Sequence, residues 1–405
     1  MRHPQRIGTH RGGAVRAAVV VVALALIVAG CTRASPVHGS SASAVPTHTS
    51  PASPTPSPTP TPRPDPLAAL TLEQRVGQLF MVGTPARYAD AGTLSAITDL
   101  HVGNVFLSGR SYQGVAATRS IVDQFIDRVG AASTAGIGLF VATDQEGGEV
   151  QVLQGPGFDR MPSALEQGRM SPAVLQTQAA RWGSQLASAH LSMNLGPVSD
   201  LVASPAAAAD NPPIGGFDRQ FGYTLTGVVQ HADAFRAGMN TTGIVPVIKH
   251  FPGLGAVTEN TDDTAGVTDT VTTQTSASVR AFQSQIDSGV QCIMVSSAVY
   301  AKIDPKAPAV FSKVVLQSLL RDRLGFDGVV MTDDLSAATQ VEAWSPADRA
   351  IDAISAGADI VLVSAAPWLA QQMVDAVVQK ARHDRSFAAS VDAAARRVLA
   401  LKGRT

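Results

Sequence analysis

The chain has 405 residues, 45% hydrophobic and 16% charged, enough to bury a sizeable core in one large domain with appendages or in two ordinary ones. With 31 basic residues against 32 acidic ones, the composition gives no ground for a nucleic-acid partner or a strongly acidic substrate. The two cysteines, Cys31 and Cys292, sit in such different contexts that no disulfide framework is expected.

The first 16 residues carry Arg2, Arg6, Arg11 and Arg16, and the apolar run that follows, 17–28, is too short to span comfortably as a mature transmembrane helix. This pattern predicts a signal peptide over residues 1–30. Its end, Val28-Ala29-Gly30-Cys31, resembles the bacterial lipoprotein box, where small residues admit the peptidase and the Cys thiol accepts diacylglycerol. The resemblance implies lipidation at Cys31 and anchoring on the extracytoplasmic face of the cell membrane, since two or three acyl chains hold far better than one. An ordinary secretory signal with a coincidental Cys is the alternative.

Residues 31–66 are Ser, Thr, Pro and Ala with almost no large apolar side chain. Such a stretch cannot offset its ordering entropy by burial, and its alternating prolines favour an extended, semi-rigid linker. From 67 to 405, short β-rich apolar runs alternate with longer helical patterns. Strands are predicted at 79–83, 102–107, 138–143, 192–198, 247–251, 292–298, 328–332 and 359–364. Helices are predicted between them, among others at 115–135, 173–189, 226–237, 276–288, 313–323 and 346–355. The alternation predicts an α/β fold with a parallel sheet, and eight such units in about 340 residues fit a (β/α)8 TIM barrel with enlarged loops. A doubly wound open sheet is the alternative. The barrel is preferred because the conspicuous polar motifs follow the third, fifth and seventh strands, where barrels carry active sites; an open sheet gathers its ligand at one switch point.

After the third strand comes Asp144-Gln145-Glu146-Gly147-Gly148, where Asp144 is placed to grip vicinal hydroxyls and a structural turn is the plainer reading. A Gly/Pro/Asn-rich loop after the fourth strand leads to Ile214-Gly215-Gly216-Phe217-Asp218-Arg219, which adds the Arg219 cation to the same rim. After the fifth strand, Lys249-His250-Phe251-Pro252-Gly253-Leu254-Gly255 supplies two donors suited to sugar hydroxyls, with a turn whose glycines allow close approach of backbone to a ligand. It is not a dinucleotide loop, because Thr258 stands where a third glycine belongs. After the seventh strand comes Thr332-Asp333-Asp334-Leu335-Ser336. An unpaired carboxylate at the end of a buried strand is expensive, so Asp333 is expected to point into the barrel mouth, while Asp334 fits a capping role better.

Together these motifs resemble glycoside hydrolase family 3, and within it the single-domain β-N-acetylglucosaminidases of cell-wall recycling. The resemblance covers roughly residue 67 to the C-terminus. It implies a retaining exo-β-N-acetylglucosaminidase in which Asp333 is the nucleophile, Asp144, Arg219, Lys249 and His250 bind the terminal sugar, and no metal or organic cofactor takes part. The expected partner is an N-acetylglucosamine-containing fragment of peptidoglycan, with no nucleic acid and a monomeric chain. Three departures bear on this. Leu254 stands where the family usually has His; Asn260-Thr261-Asp262 stands where it has an Asp-Ser-His acid/base triplet; and Glu149 and Val152 occupy the places where relatives carry a sugar-binding Arg.

The proton donor must therefore come from elsewhere. Asp262 is the candidate, since it takes the place of the family's His on a polar loop that can close over the sugar, desolvate the carboxyl and raise its pKa. Glu259 and Asp263 are rivals, and all three are otherwise solvated loop carboxylates. Three other functions remain open: a β-glucosidase, a glycoside phosphorylase of the same family, and a wall-sugar-binding lipoprotein that has lost turnover.

Overall fold

The computed structural model describes residues 65–403. The predicted signal peptide, Cys31 and residues 31–64 of the predicted linker lie outside the described residues.

Eight parallel strands form the centre: β1 (Phe80–Pro85), β2 (Asn104–Ser108), β3 (Phe140–Thr143), β4 (Met193–Asn194), β5 (Val245–Pro246 and Ile248–Phe251), β6 (Cys292–Val295), β7 (Val329–Asp334) and β8 (Ile360–Val363). They run in the spatial order 1 to 8, with β1 pairing β8. The sheet closes at β5, whose first piece pairs with β4 and whose second pairs with β6. Between the two pieces the pairing passes from one neighbour to the next, beside Pro246, which has no N–H to give to a ladder. The closed parallel order is that of a (β/α)8 barrel and leaves no switch point, so the open-sheet alternative is set aside.

Alternation along the strands decides what fills the barrel. Met81, Phe106, Phe140, Met193, Val245, Cys292, Met294, Met331 and Leu362 share one interior cluster, while their neighbours Val82, Val105, Val141, Val295, Val330 and Val361 face the outer helices. Cys292 belongs to the interior packing, and burial pushes its thiol well above the usual range, leaving it an inert apolar filler.

The outer helices start where their caps dictate. Ser171 accepts from Val174 N–H ahead of Pro172–Ser188, and Ser345 accepts from Asp348 N–H ahead of Pro346–Ala356; each helix has Pro at its first position. Gly357 ends the second with φ 121°, a conformation a side chain would resist. The predicted 115–135 helix is corrected: it breaks into Gly114–Ile126 and Ala131–Thr134, because Gly130 takes an extended conformation between them. Near the C-terminus, Arg385–Lys402 sends Val398 and Leu401 against the barrel interior, and Lys402 donates to Gln78 and to the carbonyls of Gly103 and Gly138, below β2 and β3. That end is sealed; the opposite rim is open to chemistry.

Candidate active site

The C-terminal ends of the strands bring together residues from distant parts of the sequence. Asp144, Arg219, Lys249, His250, Asp262 and Asp333 line one cavity of about 400 Å³. These six residues of the cavity are those to which the sequence reading gave a catalytic or sugar-binding role. Glu259 and Asp263, the rivals of Asp262, are exposed and do not line it.

One wall is a charged cluster. Beyond β3 the chain stays extended as Gln145–Gly147 and turns back through Gly148 to Val150–Gln151, so the 144–148 segment is a turn as well as a ligand-bearing motif. In extended chain, residues two apart share a face, which puts the Asp144 and Glu146 carboxylates side by side. Lys249, projecting from β5, meets both, with Nζ 2.6 Å from Asp144 Oδ1 and 2.7 Å from Glu146 Oε1. Arg219 donates from Nε and Nη2 to the two Glu146 oxygens at 2.9 and 2.8 Å, and from Nη1 to the Pro213 carbonyl at 2.8 Å. Burial alone would raise the pKa of Glu146, but Arg219 and Lys249 outweigh it and hold the carboxyl at about 2. Burial likewise disfavours the charged Lys249, and Asp144 and Glu146 reverse the balance, keeping it an ammonium.

His250 is held from behind. Asp200 is fully buried; its Oδ2 lies 2.7 Å from His250 Nδ1, and its Oδ1 accepts from the backbone N–H groups of His250 and Leu254 at 3.2 and 2.8 Å. With Nδ1 engaged, Nε2 is the ring nitrogen left for a ligand. The glycines of the 249–255 motif serve a different purpose from the expected one. A side chain on Gly255 would collide with the Leu201 carbonyl, and Gly253 has φ 129° with Ser278 close by, so these glycines let two chain segments cross and are not there for a ligand.

Asp333 and Asp334 end β7 and diverge. Asp334 accepts from Ser336 and Ala337 N–H and, at 2.7 Å, from Ser364 N–H, so it fixes the loops after β7 and β8; the expected helix cap is corrected, since the next helical turn, Thr339–Val341, starts at Ala338 and the next α-helix is capped by Ser345. Asp333 accepts the N–H of its neighbour Asp334 at 2.9 Å, and it lines the cavity. Asp262 is solvent-accessible on the cavity rim, yet the protein packed around it, and after that the Asp333 charge, push its pKa up to about 6 against the pull of Arg219 and His250. One carboxylate suited to attack and one carboxyl able to keep its proton near neutrality thus share a cavity.

The sequence motifs assign no task to Glu146 and do not single out Asp200. The available signals were the two-residue spacing from Asp144 and the position of Asp200 just past β4.

A closed parallel barrel with paired carboxylates and sugar-compatible donors at its C-terminal rim is the architecture of a barrel glycosidase. The chain belongs to glycosyl hydrolase family 3, whose N-terminal domain matches residues 71–401. It is similar to a β-N-acetylhexosaminidase of Beutenbergia cavernae, with 62% identity and a TM-score of 0.82 over 82% of this chain and 99% of that one. A family 3 β-N-acetylglucosaminidase of Paenibacillus sp. FPU-7 is 30% identical, with a TM-score of 0.75 over 83% of this chain and 62% of that one. In sequence, a β-hexosaminidase of Methylobacillus flagellatus is 31% identical over 281 residues, 67% of this chain and 76% of that one.

Proposed function

We propose that the protein is a retaining exo-β-N-acetylglucosaminidase, anchored through Cys31 on the outer face of the cell membrane and acting on peptidoglycan-derived fragments. The observation that carries the catalytic part is the pairing of Asp333 with Asp262, whose pKa near 6 lets it hold a proton beside an attacking carboxylate. The names of the family relatives support the sugar, and the leader sequence supports the location.

The cavity receives the terminal sugar ring. Asp144, Lys249, Arg219 and His250 bind its hydroxyls and orient it with the anomeric carbon at Asp333. An Asp333 oxygen attacks that carbon as the glycosidic C–O bond breaks, and the Asp262 proton goes to the departing oxygen. A glycosyl ester on Asp333 results. Water then attacks the same carbon and gives a proton back to Asp262, and the ester bond breaks to release the sugar with its configuration retained.

Two measurements test the reading. Release of nitrophenol from the p-nitrophenyl N-acetylglucosaminide, and not from the glucoside, tests the sugar. Mass spectrometry after brief exposure to a 2-fluoro or 5-fluoro glycosyl inhibitor tests the nucleophile: the label is expected on the peptide containing Asp333, and a label elsewhere overturns the assignment.

A further inference from the structure

A cavity of about 650 Å³ opens between the loop after β2, the hairpin that carries Glu146 and the turn that precedes Arg219. It shares no lining residue with the cavity of Asp333. Its frame is fixed by backbone: Ser111 N–H donates to the Val152 carbonyl at 2.9 Å and Gln154 N–H to the Ser111 carbonyl at 2.8 Å, joining the first loop to the hairpin. Gly148 N–H donates to the Met161 carbonyl and Leu165 N–H to the Asp218 carbonyl, each at 3.0 Å, which closes the other side. A cavity held in this way is formed before any ligand arrives.

Six charged side chains line it, three of each sign: Arg110, Arg160 and Arg169 with Glu149, Glu166 and Asp218. Opposite charges on one cavity can neutralise one another, yet none of the six forms an ion pair among the described residues. Their sequence neighbours of opposite sign are taken elsewhere. Asp159, beside Arg160, pairs with Arg181 at 2.6 Å, and Arg219, beside Asp218, pairs with Glu146 at 2.8 Å. Arg110 donates to the carbonyls of Gln151 and Glu149, which positions its guanidinium without neutralising it, and Glu166 is committed to the N–H and hydroxyl of Ser163. That leaves Arg160, Arg169, Glu149 and Asp218 to a ligand. Two rings complete the lining, Tyr112 at 65% exposure and Phe217 at 46%. Rings left in water beside unpaired charges of both signs fit a binding surface better than a solvated face.

The balance of charge selects the ligand class. A phosphate polymer meets three carboxylates, and a neutral glycan engages neither sign. A short peptide with free carboxylates, free amines and aliphatic parts matches all three features of the lining. Glu149, which stands where relatives carry a sugar-binding Arg, lines this cavity and not that of Asp333.

We propose that this cavity is a second, non-catalytic site for a short amphoteric peptide, with carboxylates on Arg160 and Arg169, amines on Glu149 and Asp218, and aliphatic parts against Tyr112 and Phe217. The site stands independently of the glycosidase reading; combined with it, the site keeps the enzyme on peptide-bearing wall material between turnovers.

The test is isothermal titration of the full chain with the tripeptide L-Ala-γ-D-Glu-L-Lys, which carries free carboxylates and free amines. Binding with a Kd below about 1 mM is expected, at least tenfold weaker in Arg160→Ala/Arg169→Ala and in Glu149→Gln/Asp218→Asn, and unchanged in Asp333→Asn. All four side chains of the cavity variants are exposed, so each variant should melt as the wild type does. The same tripeptide with its amines acetylated and its carboxyls amidated should not bind. No heat at millimolar tripeptide, equal binding of the blocked form, or undiminished binding in both cavity variants overturns the site. Loss of binding in Asp333→Asn would place the peptide in the catalytic cavity, and tighter binding of poly(glycerol phosphate) would make the site one for polyanions; either result overturns the proposal. No turnover is measured, so the outcome is separate from that of the glycosidase assay.

Discussion

The side chain of Gln340 grips the backbone of Val267 from both sides, accepting its N–H at 2.8 Å and donating to its carbonyl at 3.1 Å. Two backbone bonds extend the contact, from Thr339 N–H to the Asp262 carbonyl at 3.0 Å and from Gln340 N–H to the Thr261 carbonyl at 3.1 Å. The loop bearing Asp262 is therefore fastened to the loop that follows Asp333, and the spacing of the two carboxyls is set by hydrogen bonds that neither carboxyl makes.

Loss of that grip has a directional consequence. Gln340→Ala leaves the Val267 N–H without its partner, worth about 1–3 kcal/mol where it is buried, while the Val267 carbonyl keeps the Val299 N–H at 3.0 Å. Turnover of diacetylchitobiose should fall well below that of a dinitrophenyl glycoside, and the alkaline limb of its pH profile should move to lower pH as the loosened Asp262 becomes better solvated. A uniform fall for both substrates with an unmoved limb would assign Gln340 to folding alone.

Asp262 also ties stability to pH. Its folded-state pKa of about 6 exceeds its ordinary 3.8, so between these values the folded chain holds a proton that the unfolded chain has released. Stability therefore declines as pH rises through this window, and the cost is complete above it. Asp262→Asn should melt higher than the wild type at pH 7.5 and alike at pH 3.5. In the wild type, kcat/KM for the disaccharide should fall with an apparent pKa near 6, a limb that dinitrophenyl substrates should lack. An Asp262→Asn protein that gains no stability at pH 7.5 would show that its carboxyl is well hydrated.

Asp333→Asn should lower turnover by several powers of ten while the barrel stays folded, because the amide cannot form the glycosyl ester. The same change removes one of the three causes that raise Asp262, leaving burial and the Asp334 charge, so its titration, followed by carbon NMR of labelled aspartate, should move below 6 and stay above 3.8. Substantial activity in the folded variant would move the nucleophile to another residue.

Glu146 is the counter-charge for two buried cations. Glu146→Ala leaves Arg219 without its bidentate partner and Lys249 with Asp144 alone, and should cost about 3–5 kcal/mol of stability, read as a lower urea midpoint. A loss under about 1 kcal/mol would mean that water enters the cluster and rehydrates the guanidinium.

Membrane attachment is tested separately from catalysis. Cys31→Ala should move the protein from the membrane fraction to the soluble one with the activity of the barrel intact. Unchanged detergent partitioning would end the lipoprotein reading.

What the sequence alone determined about this protein follows from short-range rules. Period-two apolar runs with helical stretches between them specify eight strands and their order, and strand-end motifs mark the rim, because side-chain direction alternates locally and turns need particular residues. Asp333, Asp144, Lys249, His250 and Arg219 could be named on that basis together with the family resemblance. Pairings across the barrel had no such marker. Glu146 and Arg219 lie 73 residues apart, Asp200 and His250 lie 50 apart, and Gln340 reaches Val267 over 73. The choice of Asp262 over Glu259 and Asp263 also waited on the fold, since all three are polar residues of one loop and differ only in what surrounds them. A carboxyl's pKa is set by the density of protein and the charges within a few ångströms, and only the closed barrel, which brings Asp333 to Asp262, sets those distances.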